Sequence, residues 1–360
     1  MQLRDQGKLS LSDTVAQHLP WFSPAELVED QRPITIEMLL THSSGLPREA
    51  ADAAYWSPPG FEFPTRDEIV EQLPGQTTLY ESATFWQYSN LGLSLVGEVV
   101  AAVSGQEYDE YVVLNVLEPL GLTDTRPFFP QDLHGRQMAI GYGGQGRDGA
   151  RPTLPPFDTK GVCAAAGFTS TVKDMAKFAA WQHATLGGTD TTGVLARSTL
   201  KEMHHVHWID PSWETSWGLG YSVDRGAKGK NVVGHGGACP GYSTQFSTVP
   251  SSGLAVIVMA NCPEVAGGIT DTLLRLLSSA VAEAKEAVPP TLPDLSDFCG
   301  VYSAQPWGAE AAVIQWLDKL AMLPLNGTAG PGTFSGQYIC NPKPSICPCF
   351  GVRLWDIYLR

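Results

Sequence analysis

Residues 217–261 read WGLGYSVDRGAKGKNVVGHGGACPGYSTQFSTVPSSGLAVIVMAN, and this stretch decides the fold class. Four segments in it have the β-branched and aromatic content that is typical of strands, and Gly or Pro-Ser turns separate them. The predicted strands are 217–223, 231–235, 242–249 and 254–261. Because turns this short join neighbouring strands, we predict a mostly antiparallel sheet.

Helical patterns lie on both sides of the strands. In 91–104, apolar residues recur at every fourth position from Leu91 to Val103, and Gly105 follows as a stop. A long amphipathic helix is predicted over 269–285, directly after the strands. Shorter helices are predicted over 34–40, 67–73, 107–117, 172–183 and 198–205, and residues 1–7 have the pattern of the end of a helix. Helices packed against a mostly antiparallel sheet make an α+β fold.

Composition excludes several classes of protein. The 360 residues are 43% hydrophobic and 17% charged, which is enough apolar surface for a sizeable core. A formal net charge of −14 would repel nucleic acid and anionic membranes, so neither is a predicted partner. No segment reaches the roughly 18 consecutive apolar residues of a membrane span. The N-terminal MQLRDQGKLSLSD has no apolar signal core, and the sequence leaves the compartment open.

The cysteines and histidines give no sign of a metal or a cofactor. There are seven Cys, four far apart and three crowded at 340–349, and an odd count without a C-x-x-C pair does not make a disulfide framework or a zinc site. We expect the dispersed thiols to be small buried hydrophobes; they are Cys163, Cys239, Cys262 and Cys299. The histidines His204, His205 and His207 lack an H-E-x-x-H pattern, so we interpret them as packing or solvated residues.

Two short motifs carry chemically useful side chains. Tyr88-Ser89-Asn90 stands directly ahead of the helix predicted over 91–104. His235-Gly236-Gly237 stands at the end of a predicted strand. Either motif alone is a weak signal, since Tyr-x-Asn and paired glycines are common. Together they occupy a helix entrance and a strand edge, which are suitable settings for a shared site.

Five segments in order resemble the serine β-lactamase-related family, which includes class C β-lactamases, D-alanyl-D-alanine carboxypeptidases and related esterases. They are ITIEMLLTHSSGLP at 34–47, YSNLG at 88–92, LEPLGLTDT at 117–125, AGFTST at 166–171 and GHGG at 234–237. The resemblance covers about residues 1–285. It implies a β-lactamase/transpeptidase-like fold, with an antiparallel sheet flanked by helices and a helical subdomain.

The resemblance also implies an activity, the cleavage of an ester, amide or β-lactam carbonyl through an acyl-enzyme. A small-molecule or peptide acyl substrate is the expected partner, and no cofactor is implied. Tyr88 matches the tyrosine that relays the proton of the nucleophilic serine. Free tyrosine titrates near a pKa of about 10, so it needs nearby cations to act as a base at neutral pH. Asn90 matches the residue that hydrogen-bonds the amide on the acyl side of the substrate.

The third motif of the resemblance implies the remaining site residues. His235 matches the motif's cation or hydrogen-bond donor, and Gly236 and Gly237 would let substrate approach the strand closely. Ala238 matches the residue whose backbone N–H forms half of the oxyanion hole. A His in place of the Lys that many relatives carry weakens the β-lactam interpretation and favours an esterase-like substrate.

The sequence departs from the family pattern at its start. The family's nucleophile lies in an S-x-x-K segment, which we expect about three helical turns before Met1. The first strands of the sheet would also lie upstream. We therefore expect a chain that is truncated at its N-terminus and inactive as written. The alternative is a non-catalytic fragment or pseudoenzyme that at most binds ligand in the cleft.

Other serines do not replace the missing one. The stretches 170–173 and 198–201 both fit S-x-x-K, but both begin predicted helices, where Ser is expected as a cap, and both follow the Tyr-x-Asn motif. For the helix over 172–183, the cap is either Ser170 or Thr171. We interpret His42, Ser43 and Ser44 as structural hydrogen-bonding residues.

We predict three parts along the chain. Residues 1–285 form the hydrolase domain, and 286–325 begin a small β domain with strands near 300–302 and 313–316. A proline-rich linker at 287–293 precedes these strands. Residues 326–360 carry Gly, Pro and Cys without periodicity, and we predict an irregular tail. The sequence does not predict an oligomeric state.

Overall fold

The computed structural model divides the protein into two compact units, Met1–Ser279 and Ala280–Arg360. The residues that the structure describes are 1–25, 28–50, 53–58, 60–226, 229–263, 266–287, 294–303, 310–316, 319–324, 339–340 and 358–359. Each unit is treated by itself below.

The first unit combines helices with one sheet. Its helices are α1 (Gln2–Asp5), α2 (Val15–His18), α3 (Ile36–Leu40), α4 (Arg66–Gln72), α5 (Asn90–Ser104), α6 (Tyr108–Val112), α7 (Cys163–Ala166), α8 (Val172–Gly187) and α9 (Arg197–Met203), and α10 (Ala266–Ala287) begins in this unit. Its strands are β1 (Trp208–Ile209), β2 (Ser216–Trp217), β3 (Ser222–Arg225), β4 (Asn231–Cys239), β5 (Tyr242–Val249) and β6 (Leu254–Ala260).

The six strands form one antiparallel sheet in sequence order, from β1 to β6. The β4–β5 ladder runs through most of β4, as far as the Cys239↔Tyr242 pair. The β3–β4 ladder stops earlier, at the Ser222↔Gly234 pair. Within the described part of the sheet, the second half of β4 therefore has a strand neighbour on one side only.

Helices cover both faces of this sheet. His235 of β4 lies opposite Phe246 of β5, and the Phe246 ring lies 5.8 Å from that of Phe178 in α8. Val249 lies on the other face, since side chains alternate along a strand, and it packs with Leu274 of α10. The predicted α+β architecture, an antiparallel sheet flanked by helices, is confirmed.

The helical part has a core built on α5. Leu91, Leu95 and Val99 are each at most 1% exposed, which explains why the four-residue spacing in the sequence indicated this helix so clearly. Gly105 ends α5 in the left-handed conformation, with φ at 73°. The predicted helix over 91–104 is confirmed to within one residue.

Two strand predictions differ from the structure. The segment 217–223 is a hairpin, with β2 ending at Trp217 and β3 beginning at Ser222. Gly220 adopts φ 76° in the turn, which a continuous strand would not allow. The strand predicted over 231–235 continues to Cys239, because the glycines after His235 pair with β5 instead of forming a turn.

Two helices also have boundaries that differ from the predicted ones. Helix α3 starts at Ile36, not at residue 34, because the Thr35 side chain caps it by accepting a bond from the Met38 N–H (3.4 Å). Helix α8 is capped by Thr171, which accepts from the Asp174 N–H (3.2 Å), and it runs to Gly187. The sequence left two candidates for this cap, and in the structure Thr171 is the cap.

The second unit contains a five-stranded antiparallel sheet in the order β10-β9-β8-β7-β11. The strands are β7 (Gly300–Ser303), β8 (Glu310–Trp316), β9 (Lys319–Pro324), β10 (Ile339–Cys340) and β11 (Tyr358–Leu359). Strands β7 and β8 contain the two predicted strands. Strands β10 and β11 come from 326–360, where we predicted irregular structure.

Most of 326–360, and residues 288–293 of the predicted linker, lie outside the described residues. The domain divisions at residues 285 and 325 remain predictions. Among the helices that the structure describes, none combines the length and the apolar character needed to cross a bilayer.

Candidate active site

Tyr88 is held at the entrance of α5 by a capped turn. Ser89 is the cap: its hydroxyl accepts a hydrogen bond from the Gly92 N–H (2.8 Å) and donates one to the carbonyl oxygen of Pro47 (2.7 Å). The second bond ties the turn to the loop that follows α3. Tyr88 therefore stands where two loops and a helix N-terminus meet.

His42 is a buried structural residue, as we predicted. Its side chain is 1% exposed, and its Nδ1 atom accepts a hydrogen bond from the Ser89 N–H (3.1 Å). Its backbone has φ 56°, a conformation that is uncommon outside glycine. Burial, and to a lesser extent the charges of His235 and Arg48, lower its pKa to about 3. His42 is thus neutral and acts as an acceptor inside the protein.

An aromatic cluster surrounds Tyr88 and brings the two sequence motifs together. The ring centroid of Tyr88 lies 4.3 Å from that of His42 and 6.0 Å from that of His235. Trp86 and Trp217 lie 6.2 and 6.4 Å from it. The phenol at the helix entrance and the imidazole on β4 therefore share one site.

Tyr88 is protonated at neutral pH. Burial raises the pKa of its half-buried phenol, and the nearby Arg48 charge offsets part of that effect. The guanidinium carbon of Arg48 lies 5.1 Å from the ring centroid. No hydrogen bond to the Tyr88 hydroxyl is present among the residues that the structure describes. The phenol is therefore not prepared to accept a proton in this arrangement.

His235 is a neutral imidazole with one nitrogen in use. Its Nδ1 lies within hydrogen-bonding distance of the Gly236 carbonyl oxygen, so Nδ1–H donates and Nε2 keeps a lone pair. Burial lowers the pKa of His235. The resemblance implied a cation or a donor at this position, whereas the second nitrogen of this neutral tautomer is an acceptor.

The glycines after His235 make room for the neighbouring strand. A Cβ atom on Gly236 would lie 2.7 Å from the Gln245 side-chain oxygen, and one on Gly237 would lie 2.5 Å from the Thr244 hydroxyl. A larger residue at either position would therefore require the tip of a β5 side chain to shift. Ala238 follows and is exposed, in the half of β4 that lacks a described neighbour on the β3 side.

Asn90 belongs to a buried hydrogen-bond network that sequence reasoning missed. Its Nδ2 donates to Glu49 Oε1 (2.8 Å), and the Glu49 carboxylate also accepts from the Tyr55 hydroxyl (2.7 Å) and from Arg48 Nε (3.0 Å). Glu49 is 6% exposed. The only sequence signal was a pair of opposite charges directly after Pro47, and it gave no sign of burial.

The serines that fit S-x-x-K lie in other settings. Ser170 hydrogen-bonds the Thr125 hydroxyl (2.8 Å) one position before the true cap of α8. Ser198 lies within α9 and is exposed, as is Lys201, while Ala196 holds the cap position. Ser198 is not a cap, contrary to the prediction, because α9 begins at Arg197. Of the two candidates for the cap of α8, Thr171 and not Ser170 holds that position.

The loop serines are structural, as we predicted. The Ser43 hydroxyl bonds that of Thr41 (2.9 Å), and the Ser44 hydroxyl accepts from the Leu46 N–H (3.3 Å). Both serines are buried. These bonds fix the loop on which His42 stands.

The three clustered histidines have separate surroundings. His204 is buried against the Tyr221 ring (5.0 Å), and burial lowers its pKa to about 4. His207 pairs with Glu37 (2.9 Å), and His205 is exposed. Within the described ranges, no group of three or more His, Cys, Asp or Glu side chains could hold a metal ion.

The dispersed cysteines are free thiols, but they are half-buried where we expected buried ones; they are Cys163, Cys239, Cys262 and Cys299. Each stands near the end of its element or next to a turn, where solvent reaches one side. Burial nevertheless raises the pKa of Cys239 to about 12, so this thiol beside the site stays protonated.

Known proteins resemble this chain in sequence and fold. It is 34% identical over 133 residues to "Beta-lactamase-like protein 2" of Dictyostelium discoideum. The aligned residues make up 36% of this chain and 23% of that protein. It is 24% identical over 280 residues to "Putative penicillin-binding protein PbpX" of Bacillus subtilis, with 77% of this chain and 63% of that protein covered. The match thus spans less than two thirds of either relative.

A solved structure gives the same fold. The D-stereospecific amidohydrolase from Streptomyces sp. superposes with a TM-score of 0.64 at 24% identity, over 76% of this chain and 81% of that one. The family model described as Beta-lactamase matches residues 1–279, which is most of the sequence. The chain therefore belongs to the Beta-lactamase family, as its motifs indicated.

Proposed function

We propose that this chain forms the tyrosine and histidine side of an acyl-transfer site, which serves hydrolysis of an ester, amide or β-lactam carbonyl through an acyl-enzyme. The observation that carries the proposal is the 6.0 Å separation of the Tyr88 and His235 rings beside the open half of β4. An extended acyl group would lie along this edge, with the Ala238 N–H as half of the oxyanion hole.

The nucleophile is the part that these residues do not supply. The reaction needs a serine hydroxyl beside Tyr88, and no S-x-x-K precedes Tyr88 in the printed sequence. Loss of a catalytic serine costs on the order of 10⁶ in rate. We propose that the 360-residue chain by itself has almost no turnover.

A second function, ligand binding without turnover, is favoured by the protonation states. The raised pKa of Tyr88 and the lowered pKa of His235 leave both groups neutral. Both groups can orient an acyl compound by hydrogen bonds, but the protonated phenol of Tyr88, which the resemblance assigns as the proton relay, cannot take the proton of a serine in this state. A small-molecule or peptide acyl compound is the proposed ligand.

Covalent labelling separates the two functions. We expect neither a fluorescent fluorophosphonate nor a fluorescent penicillin to label the purified 360-residue chain. Labelling that disappears in Ser170→Ala or Ser198→Ala would identify a nucleophile and overturn the prediction of negligible turnover.

Binding tests the site itself. In a ligand-observed NMR titration, N-benzoylglycinamide should bind the chain, and His235→Ala should weaken that binding at least fivefold. His205→Ala is the matched control, because His205 is exposed and should leave binding unchanged. Equal binding to both variants would place the ligand elsewhere.

A further inference from the structure

The guanidinium of Arg48 is exposed and lies beside Tyr88. Its side chain is 63% exposed, although its guanidinium carbon lies only 5.1 Å from the Tyr88 ring centroid. The stacking against the phenol keeps the cation beside the cleft and leaves most of its surface accessible. An exposed cation over an aromatic ring is stabilised only modestly, so the guanidinium remains available to bind a ligand.

Only one edge of this guanidinium is occupied. Nε donates to Glu49 Oε1 (3.0 Å), and neither terminal nitrogen of Arg48 has a hydrogen-bond partner among the described residues. Two parallel N–H groups on a planar fork match the two oxygens of a carboxylate. The free edge therefore has the geometry of a bidentate anion receptor.

Glu49 fixes the other edge. Its carboxylate is 6% exposed and is held by the Tyr55 hydroxyl (2.7 Å) and by Asn90 Nδ2 (2.8 Å). These donors satisfy the buried carboxylate in addition to Arg48. The arginine is thus anchored to a rigid group, which reduces the entropy lost when it binds an anion.

The imidazole of His235 cannot bind a carboxylate in this way. Nδ1 of His235 is used by the Gly236 carbonyl, and Nε2 presents a lone pair that would repel a carboxylate. Among the described groups that act on the ionisation of Tyr88, Arg48 is the one cation. A ligand anion at this site would therefore find its counter-charge at Arg48, on a protein whose net charge is −14.

We propose that Arg48 is a specificity-determining residue of this site, which binds the carboxylate of an acyl compound through its free guanidinium edge. The substrate class is then acyl compounds that carry a carboxylate near the reacting carbonyl. This inference rests on the proposed acyl site. It assigns carboxylate selectivity to Arg48 instead of the third-motif residue, His235.

The experiment compares two ligands that differ at one group, N-benzoylglycine with a carboxylate and N-benzoylglycinamide with a carboxamide, by NMR titration of the full 360-residue chain. We expect the acid to bind about tenfold more tightly than the amide at low salt, and this preference to shrink at high salt. Arg48→Gln should abolish the preference while amide binding persists. Arg48→Lys should keep a small part of it, because an ammonium is a point charge without a fork.

Arg66→Gln is the matched control. Arg66 also lies over an aromatic ring, at 5.8 Å from Trp21, and pairs with Glu98 (2.7 Å). Its loss should leave the preference for the acid unchanged. The role of Arg48 would be overturned, but not the acyl site, if acid and amide bind the unmodified chain equally. A preference for the acid that survives in Arg48→Gln would have the same meaning. Failure of both ligands to bind would overturn the acyl site and the inference together.

Discussion

At the residue scale, His42 shows how a polar side chain can be essential to a site without reacting. Its imidazole fills the space between Tyr88 and Trp217, and its Nδ1 atom satisfies the Ser89 N–H. Because burial lowers the pKa of His42 to about 3, the fold requires the neutral form. The same residue therefore makes the protein sensitive to acid.

The stability that neutral His42 contributes is present above the unfolded pKa of about 6.5, and it is lost as the pH falls toward 3. Between pH 7 and pH 5 the loss should be about 2 kcal/mol. We expect this part of the loss to vanish in His42→Asn, because asparagine tolerates the positive φ and its Oδ1 can accept the Ser89 bond. Urea unfolding of both proteins at the two pH values measures the difference.

Above pH 7 the two proteins should change stability in parallel, because His42 is then deprotonated in both the folded and the unfolded state. Equal losses of stability on acidification to pH 5 would contradict the role of burial at this residue.

Glu49 is the second residue on which the site depends. Glu49→Ala would remove the acceptor for Tyr55, Asn90 and Arg48, and would leave buried donors without partners. We expect a loss of about 3 kcal/mol in the free energy of unfolding, measured by urea denaturation. Glu62→Ala is the control: that side chain is 84% exposed and should change stability by less than about 0.5 kcal/mol. A similar small effect for both would show that the network adds little.

At the element scale, α5 is the helix that orients the site, and its own packing is tight. Gly97 is buried on the side of α5 that faces α7, where a Cβ atom would lie 2.5 Å from the Ala164 Cβ. The absence of a side chain lets the two helices approach. A glycine that usually weakens a helix is here required by its neighbour.

Gly97→Ala should therefore destabilise the protein by about 1–3 kcal/mol, against the usual preference for alanine in helices. Adding Ala164→Gly should recover most of that loss, which a double-mutant cycle by urea unfolding can measure. In α10, Gly268 has open space around it, so Gly268→Ala should stabilise by up to about 1 kcal/mol. Destabilisation of the same size at both glycines would contradict the packing argument.

Strand β4 shows where local patterns fail at this scale. Paired glycines at 236–237 look like a turn, yet the ladder with β5 keeps the chain extended through Cys239. The Gln245 and Thr244 side chains fill the space that larger residues would need. Strand extension was decided by a neighbouring strand, which a single segment of sequence cannot reveal.

At the scale of the whole molecule, the acidic composition governs behaviour in solution. The net charge is −14 at pH 7 and reaches zero near pH 4.9. Uncharged proteins associate more readily because they no longer repel one another.

We expect solubility to pass through a minimum near pH 4.9, measured as protein left in solution after centrifugation at a series of pH values. Below pH 7, solubility should fall more steeply than the loss of net charge alone predicts, because protonation of buried histidines destabilises the fold. A solubility that rises steadily from pH 7 to pH 4.9 would contradict the charge argument.

The sequence by itself determined the α+β class, the position of α5 and the two motifs, because apolar spacing, caps and short turns are encoded within a few residues. Tertiary structure decided how Tyr88 and His235 meet, in which direction burial shifts the pKa of each, and that Arg48 is tied to Glu49. Those properties depend on distance and burial between segments far apart in the chain, and these quantities exist only after the sheet and the helices have packed.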